Sequence, residues 1–126
     1  MKLDRLLFSN LSDAEFEWLT KSYSKSDSLD VVAFGNGLSK DASFKMGNMQ
    51  PVTGKEAILE NIASFWKTIK GMNHNFINVF SVDNKIILEA IVDYVSMDDS
   101  KASLPCVTII ERDGEGLSNN NRVLLI

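Results

Sequence analysis

A chain of 126 residues, 44% hydrophobic and 24% charged, is sized for one globular domain and leaves no room for a second of ordinary size. Its formal charge of −4 and pI near 4.9 argue against nucleic acid or an anionic membrane as partner, since neither is drawn to an acidic surface without a Lys/Arg cluster. The single cysteine, Cys106, cannot form an intramolecular disulfide. No apolar run reaches the roughly 18 residues of a membrane span, and no Cys/His cluster has zinc-type spacing.

The N-terminal stretch "MKLDRLLFSNLSD" carries charges on both sides of a very short apolar segment, unlike the core of a signal peptide. The expectation is a cytoplasmic protein with no metal, no cofactor and no membrane partner. Ser12 and Glu15 then stand three apart as a capping box, and Phe16, Leu19 and Tyr23 recur at helical spacing, which predicts a helix over residues 12–26. "DSLDVVAFGNG" predicts a second, short helix capped at Asp27 or Ser28 and ended by Gly35 and Gly37 in a positive-φ conformation. A brief strand follows near Ala42 to Met46. Thr53 and Glu56 read as a second capping box, Ile58, Ile62, Phe65 and Ile69 as one apolar face, and Gly71 as a stop, so a helix is expected over residues 54–70.

From Met72 the pattern changes to strand-like runs, "HNFINVFSV", "KIILEAIVDYV", "ASLPCVTIIE" and "GLSNNNRVLLI", separated by "DN", "MDDS" and "RDGEG". Each separator tolerates turn geometry, and four such strands in succession make an antiparallel meander. A twisted sheet with helices segregated to one face is an α+β arrangement whose curvature can leave a cavity between the layers.

With "DASFKMGNMQPVTGKEAI" in its first half and "GMNHNFINVF", "EAIVDY", "LPCVTIIERDG" and "NRVLLI" in its second, the chain resembles the SnoaL-like branch of the nuclear transport factor 2-like superfamily. The match runs from about Ser12 to Ile126. The resemblance implies a single domain over residues 1–126. It also implies a cone-like, curved, mixed and mainly antiparallel sheet with three helices on one face around a pocket, in proteins that are often dimeric through the outer sheet face. Such proteins include polyketide cyclases, ketosteroid isomerase, dehydratases, epoxide hydrolases and many non-catalytic binders, so activity follows from the side chains that line the cone.

His74 is the only histidine, and histidine is the side chain that titrates between about pH 5 and 8. By the resemblance it faces the wide part of the cone as a proton carrier; the alternative is a polar residue hydrogen-bonded where a strand begins. Tyr94 alternates with Val92 and Ala90, so it either turns its hydroxyl into the cone or ends a core stack. Glu89 and Asp93 fall on the opposite face with Ile87 and Ile91. That face, extended by Val107 and Ile109, is the expected interface of a homodimer.

Alignment with the family puts Met46 where ketosteroid isomerase has its base, Thr108 where it has a protonated acid, and Ile126 where SnoaL-type cyclases carry an aspartate. None of the three matches, and neither activity is expected at enzyme-like rates. The candidate catalytic set is His74, Tyr94 and Thr108. The expected pocket wall takes Trp18, Met46, Asn48, Phe65 and Val92 from the first part of the chain, and Leu104, Cys106, Arg122, Leu124 and Ile126 from the last strands. Trp18 and Trp66 read first as core aromatics and second as ligand contacts, because apolar pocket walls and core walls use the same residue types. Cys106 has no neighbouring histidine or cation in sequence and reads as a buried inert thiol.

Three functions are open. The first is a pocket protein for a small apolar molecule bearing a carbonyl or hydroxyl group, anchored by His74, Tyr94 and Arg122. The second is an isomerase, dehydratase or cyclase with His74 as base and Tyr94 or Thr108 as donor. The third is a dimeric interaction module whose cone is filled by its own side chains.

Overall fold

The computed structural model describes residues 1–125, so Ile126 lies outside the described residues. Helix α1, Asp13–Asp27, begins at the expected capping box: Ser12 Oγ accepts the Glu15 N–H at 3.2 Å, and Glu15 Oε1 accepts the Ser12 N–H at 2.9 Å. Leu19 and Tyr23, four residues apart, are buried. Helix α2, Val31–Gly35, is capped by Asp30, whose side chain accepts the Ala33 N–H at 3.0 Å, and not by Asp27 or Ser28. Asn36 ends it in a right-handed conformation, so the expected positive-φ glycine stop is absent.

Helix α3, Lys55–Trp66, is shorter than its periodicity. Thr53 does not cap it, because Thr53 is taken into strand β3, Val52–Thr53, pairing with Ser43. Gly54 becomes the N-cap at φ +97° with no side-chain bond. At the other end the Thr68 hydroxyl donates to the Phe65 carbonyl at 2.6 Å, and the chain passes directly into strand β4, Ile69–Val82. Ile69 is therefore a buried sheet residue rather than part of the α3 face, and Gly71 sits inside β4 opposite Val95. Gly35 has a steric role instead: a Cβ there would stand 2.7 Å from Leu59 Cδ1, where α2 meets α3.

The remaining strands are β1, Phe8–Ser9; β2, Leu38–Met46; β5, Lys85–Ser96; β6, Lys101–Arg112; and β7, Ser118–Leu125. All seven form one sheet in the order β1-β4-β5-β6-β7-β2-β3. The meander β4 to β7 is antiparallel as expected, while β2 joins β7 and β1 joins β4 in parallel. The sheet is mixed and mostly antiparallel, with the three helices on one face.

Alternation decides which side chains face the helices. Along β5 these are Ile86, Leu88, Ala90, Val92 and Tyr94, and opposite them on β6 stand Cys106, Thr108 and Ile110. An irregularity between Phe76 and Asn78 in β4 shifts the pattern by one residue, so His74 and Phe76 precede it and Val79 follows it on the same inner face. Two apolar clusters result. One joins α1 to the centre of the sheet through Leu19, Tyr23, Phe76 and Leu88; the other joins α3 to β2 through Ile58, Ala42 and Leu38. Among the described residues no helix is long and apolar enough to cross a membrane.

Leu19 is 0% exposed, whereas Val32 on α2 is 76% exposed. We expect Leu19→Ala to lower unfolding free energy by about 2–5 kcal/mol and Val32→Ala to change it by less than about 0.5 kcal/mol, read by urea denaturation. Equal effects would contradict the docking of α1.

Candidate functional site

Between the two apolar clusters lies a cavity of about 140 Å³. Its floor is the inner face of β5, β6 and β7, and its sides come from α1, α2 and α3. Both tryptophans and both tyrosines of the chain line it, with Phe34, Phe44 and Phe65. The cone is thus not filled by its own side chains, which removes the main support for a purely structural module.

His74 lines this cavity, and its position is set by Asp27 at the end of α1. Asp27 Oδ1 lies 2.6 Å from His74 Nδ1, and Oδ2 accepts the His74 main-chain N–H at 2.9 Å. Oδ2 is also 2.9 Å from the Met1 ammonium, which bonds Asn73 Oδ1 as well. The Asp27 side chain is only 7% exposed. Burial by itself pushes its carboxyl up, but the ring and amide of His74 and the terminal ammonium together outweigh burial and hold it below its ordinary value of 3.8. An ionised carboxylate can only accept, so the Nδ1 atom carries the proton of this bond. Nε2 makes no hydrogen bond among the described residues.

Three hydroxyls accompany this imidazole. Tyr23 packs edge-on against the His74 ring at 4.7 Å between centroids, and burial, with Cys106 and Asp27 adding to it, raises its phenol far above the ordinary value despite the Thr108 hydroxyl. Burial likewise raises Tyr94, which meets Phe65 edge-on at 5.7 Å. Both phenols therefore stay protonated near neutrality and act as donors. Thr108 is buried beside Tyr23 and Cys106, whose thiol burial also pushes up. A thiol so placed is a wall rather than a nucleophile. Ser118 and Asn121 form a separate polar patch on β7, the Ser118 hydroxyl donating to Asn121 Oδ1 at 3.0 Å.

Of the residues singled out from sequence, Trp18, Met46, Phe65, His74, Val92, Tyr94, Cys106 and Thr108 all line the cavity. Arg122 does not. It pairs with Ile109 and Lys45 in the sheet, which turns it to the outer face, where its guanidinium lies 3.4 Å from Glu111. Leu124 follows it outward and is 49% exposed. Leu104 lies in the exposed first half of β6, and Asn48 is in the exposed turn after β2. Ile126, also singled out, is outside the described residues. Sequence reasoning missed Asp27, Tyr23, Ser118 and Asn121. For Asp27 a signal existed: it continues the stripe Leu19, Tyr23 at i+4 spacing, so a carboxylate was due on the buried side of α1.

No family model and no curated protein matches the sequence, but solved structures match its shape closely. A protein from Shewanella denitrificans OS-217 provisionally named a SnoaL-like polyketide cyclase superposes with a TM-score of 0.81 at 10% identity, over 91% of this chain and 92% of that one. The chain has the SnoaL-like, nuclear transport factor 2-like fold. A Catenulispora acidiphila protein with a ketosteroid isomerase-like fold, in complex with trimethylamine, gives a TM-score of 0.75 at 16% identity over 85% and 83% of the two chains. An epoxide hydrolase of Mycobacterium tuberculosis gives 0.76 at 9% identity over 87% and 80%. At such identities the SnoaL-like fold is shared while the side chains in the cone are this chain's own.

The Asp27 contact makes stability depend on pH with a definite sign. A carboxyl whose folded value lies below its unfolded one stabilises the fold fully above about pH 5, and the contribution is lost as pH falls through 3.8 and below. We expect the stability gap between wild type and Asp27→Asn to be widest at neutral pH and to close toward pH ~2, measured by urea unfolding across that range. A gap independent of pH would mean that Asp27 is not held as a carboxylate.

Proposed function

We propose that the protein binds a small, largely apolar molecule bearing a carbonyl or hydroxyl group and that His74 acts on it as general base. Tyr94 or Thr108 then donates to the oxygen on which charge develops, in a proton transfer of the isomerase, dehydratase or cyclase kind. One observation carries this reading: a buried carboxylate holds Nδ1 of His74 at 2.6 Å, on a residue that lines the cavity. A carboxylate so placed orients the ring and stabilises the imidazolium formed when Nε2 takes a proton. Asp27 is thus a positioning residue, and His74 the catalytic one.

Isomerisation, dehydration and aldol-type cyclisation share proton removal next to a carbonyl, so exchange of α-protons of small ketones in D₂O, followed by NMR, tests the step without a known substrate. His74→Gln should slow exchange by about 10²- to 10⁴-fold. Asp27→Asn should slow it by roughly 10- to 100-fold while leaving ketone binding nearly unchanged. Exchange no faster than in buffer for every ketone would reduce the protein to a binder. That second reading is favoured by Met46 and Thr108, which bring no acid to the cavity wall.

The face away from the cavity carries Ile87, Ile91, Val107 and Ile109, with Ile87 opposite Ile109 across β5 and β6. These side chains are half-buried in the single chain, an apolar face that a second copy would cover. We expect a homodimer by light scattering at concentrations of about tens of micromolar and a monomer for Ile109→Lys. A monomeric wild type would refute this assembly.

A further inference from the structure

We propose that the cavity takes a ligand built on one six-membered ring, about 6–10 non-hydrogen atoms in all, and is closed to steroids and fused-ring polyketides. This rests on the reading of the site just given and narrows it to a substrate class. The volume is about 140 Å³. A protein cavity of roughly 150 Å³ is filled by one benzene molecule, whereas pockets for drug-sized ligands run to about 300–1,000 Å³.

Volume would decide little if the walls could retreat, but their rings are held in pairs. Phe34 meets Trp66 edge-on at 5.6 Å, Phe65 meets Tyr94 at 5.7 Å, and Tyr23 is fixed between His74 and Phe76 at 4.7 and 5.0 Å. Trp18 lies under the Arg112 guanidinium at 4.6 Å. Moving any wall outward separates a preferred aromatic or cation–π pair. For Tyr23 it also drives the ring into Leu19 and Phe76, which are 0% exposed and close-packed.

The chemistry of the walls restricts the ligand further. Rings and aliphatic side chains make up most of the wall, and its polar part is the His74 imidazole, the hydroxyls of Tyr23, Tyr94 and Thr108, Ser22, Lys25 and Ser26 on α1, and the Ser118–Asn121 pair on β7. One carbonyl or hydroxyl oxygen finds partners there. A flat aromatic or cyclohexenone-type ring with one oxygen substituent satisfies both size and polarity.

Because Trp18 and Trp66 are the only tryptophans and both line the cavity, their indole N–H signals in a ¹⁵N-correlated NMR spectrum report occupancy. Phenol, acetophenone, acetonaphthone and androstenedione are titrated into the wild type. Phenol and acetophenone should move both indole signals saturably, acetonaphthone should bind at least about tenfold more weakly than acetophenone, and androstenedione should leave both signals in place. Phe44→Ala, which removes a ring from the wall, should bring acetonaphthone to within about threefold of acetophenone. Androstenedione binding as tightly as acetophenone, or no probe giving a saturable shift, overturns the proposal on the wild-type series alone. The same series in His74→Gln separates the two ideas: an unchanged size limit with lost proton exchange supports both, and an unchanged size limit without any exchange in the wild type sinks the catalytic reading only.

Discussion

The cavity depends on a carboxylate in an unfavourable place. Asp27 is the last residue of α1, where unpaired carbonyls of the final turn already present partial negative charge, so an ionised side chain is disfavoured there unless strong donors offset it. Burial to 7% adds a desolvation cost. Both are offset by donors from β4 and the chain start: the ring and amide of His74 occupy one oxygen each, and the Met1 ammonium shares the second. Because one residue grips both carboxylate oxygens, the end of α1 is fixed to a single row of the sheet. One turn back, Tyr23 then falls on Phe76 and His74, and a further turn back Leu19 enters the core.

From that anchor the shape of the empty space follows. α1 packs on β4 and α3 packs on β2, toward opposite edges of the same face of a sheet whose strands shift register at several points. Such irregularities bend strands and increase twist. The two helices therefore bury separate clusters, and the gap between them is too narrow for another layer. Aromatic side chains close it because each can present a broad wall while pairing edge-on with a neighbour.

Much of this was legible in the sequence where a pattern had one interpretation. The Ser12–Glu15 box and the stripe from Phe16 to Tyr23 could only be a helix start, and the separators DN, MDDS and RDGEG marked three real turns. Failures arose where one residue fitted two periods. Ile69 completes both the Ile58, Ile62, Phe65 helix face and the first inward position of β4, and the Thr68 hydroxyl that ends the helix has no signature of its own. On β7, Val123, Leu124 and Leu125 are all apolar, so the pattern cannot say which parity faces inward. Only the pairing of Val123 with Thr108 and Met46 decides it, and it sends Arg122 outward. Asp27 was obscured by chemistry: an aspartate before a short helix looks like a cap, and the capping role went to Asp30.

The displaced carboxylate also changes what kind of base the cavity can offer. An aspartate at the position of Met46 would face the apolar space directly and lose hydration without gaining partners whenever a nonpolar ligand entered. Asp27 stands behind the imidazole instead, with all its hydrogen bonds made inside the protein. A ligand entering the cavity therefore meets the imidazole and the aromatic walls, and leaves the carboxylate's own partners in place. When Nε2 takes a proton from a ligand, the charge appears on a ring whose other nitrogen is already 2.6 Å from a carboxylate oxygen. Electrostatic stabilisation that is small for the bound ligand and large for the proton-transferred state is the difference that accelerates a reaction, since only interactions stronger in the transition state lower the barrier.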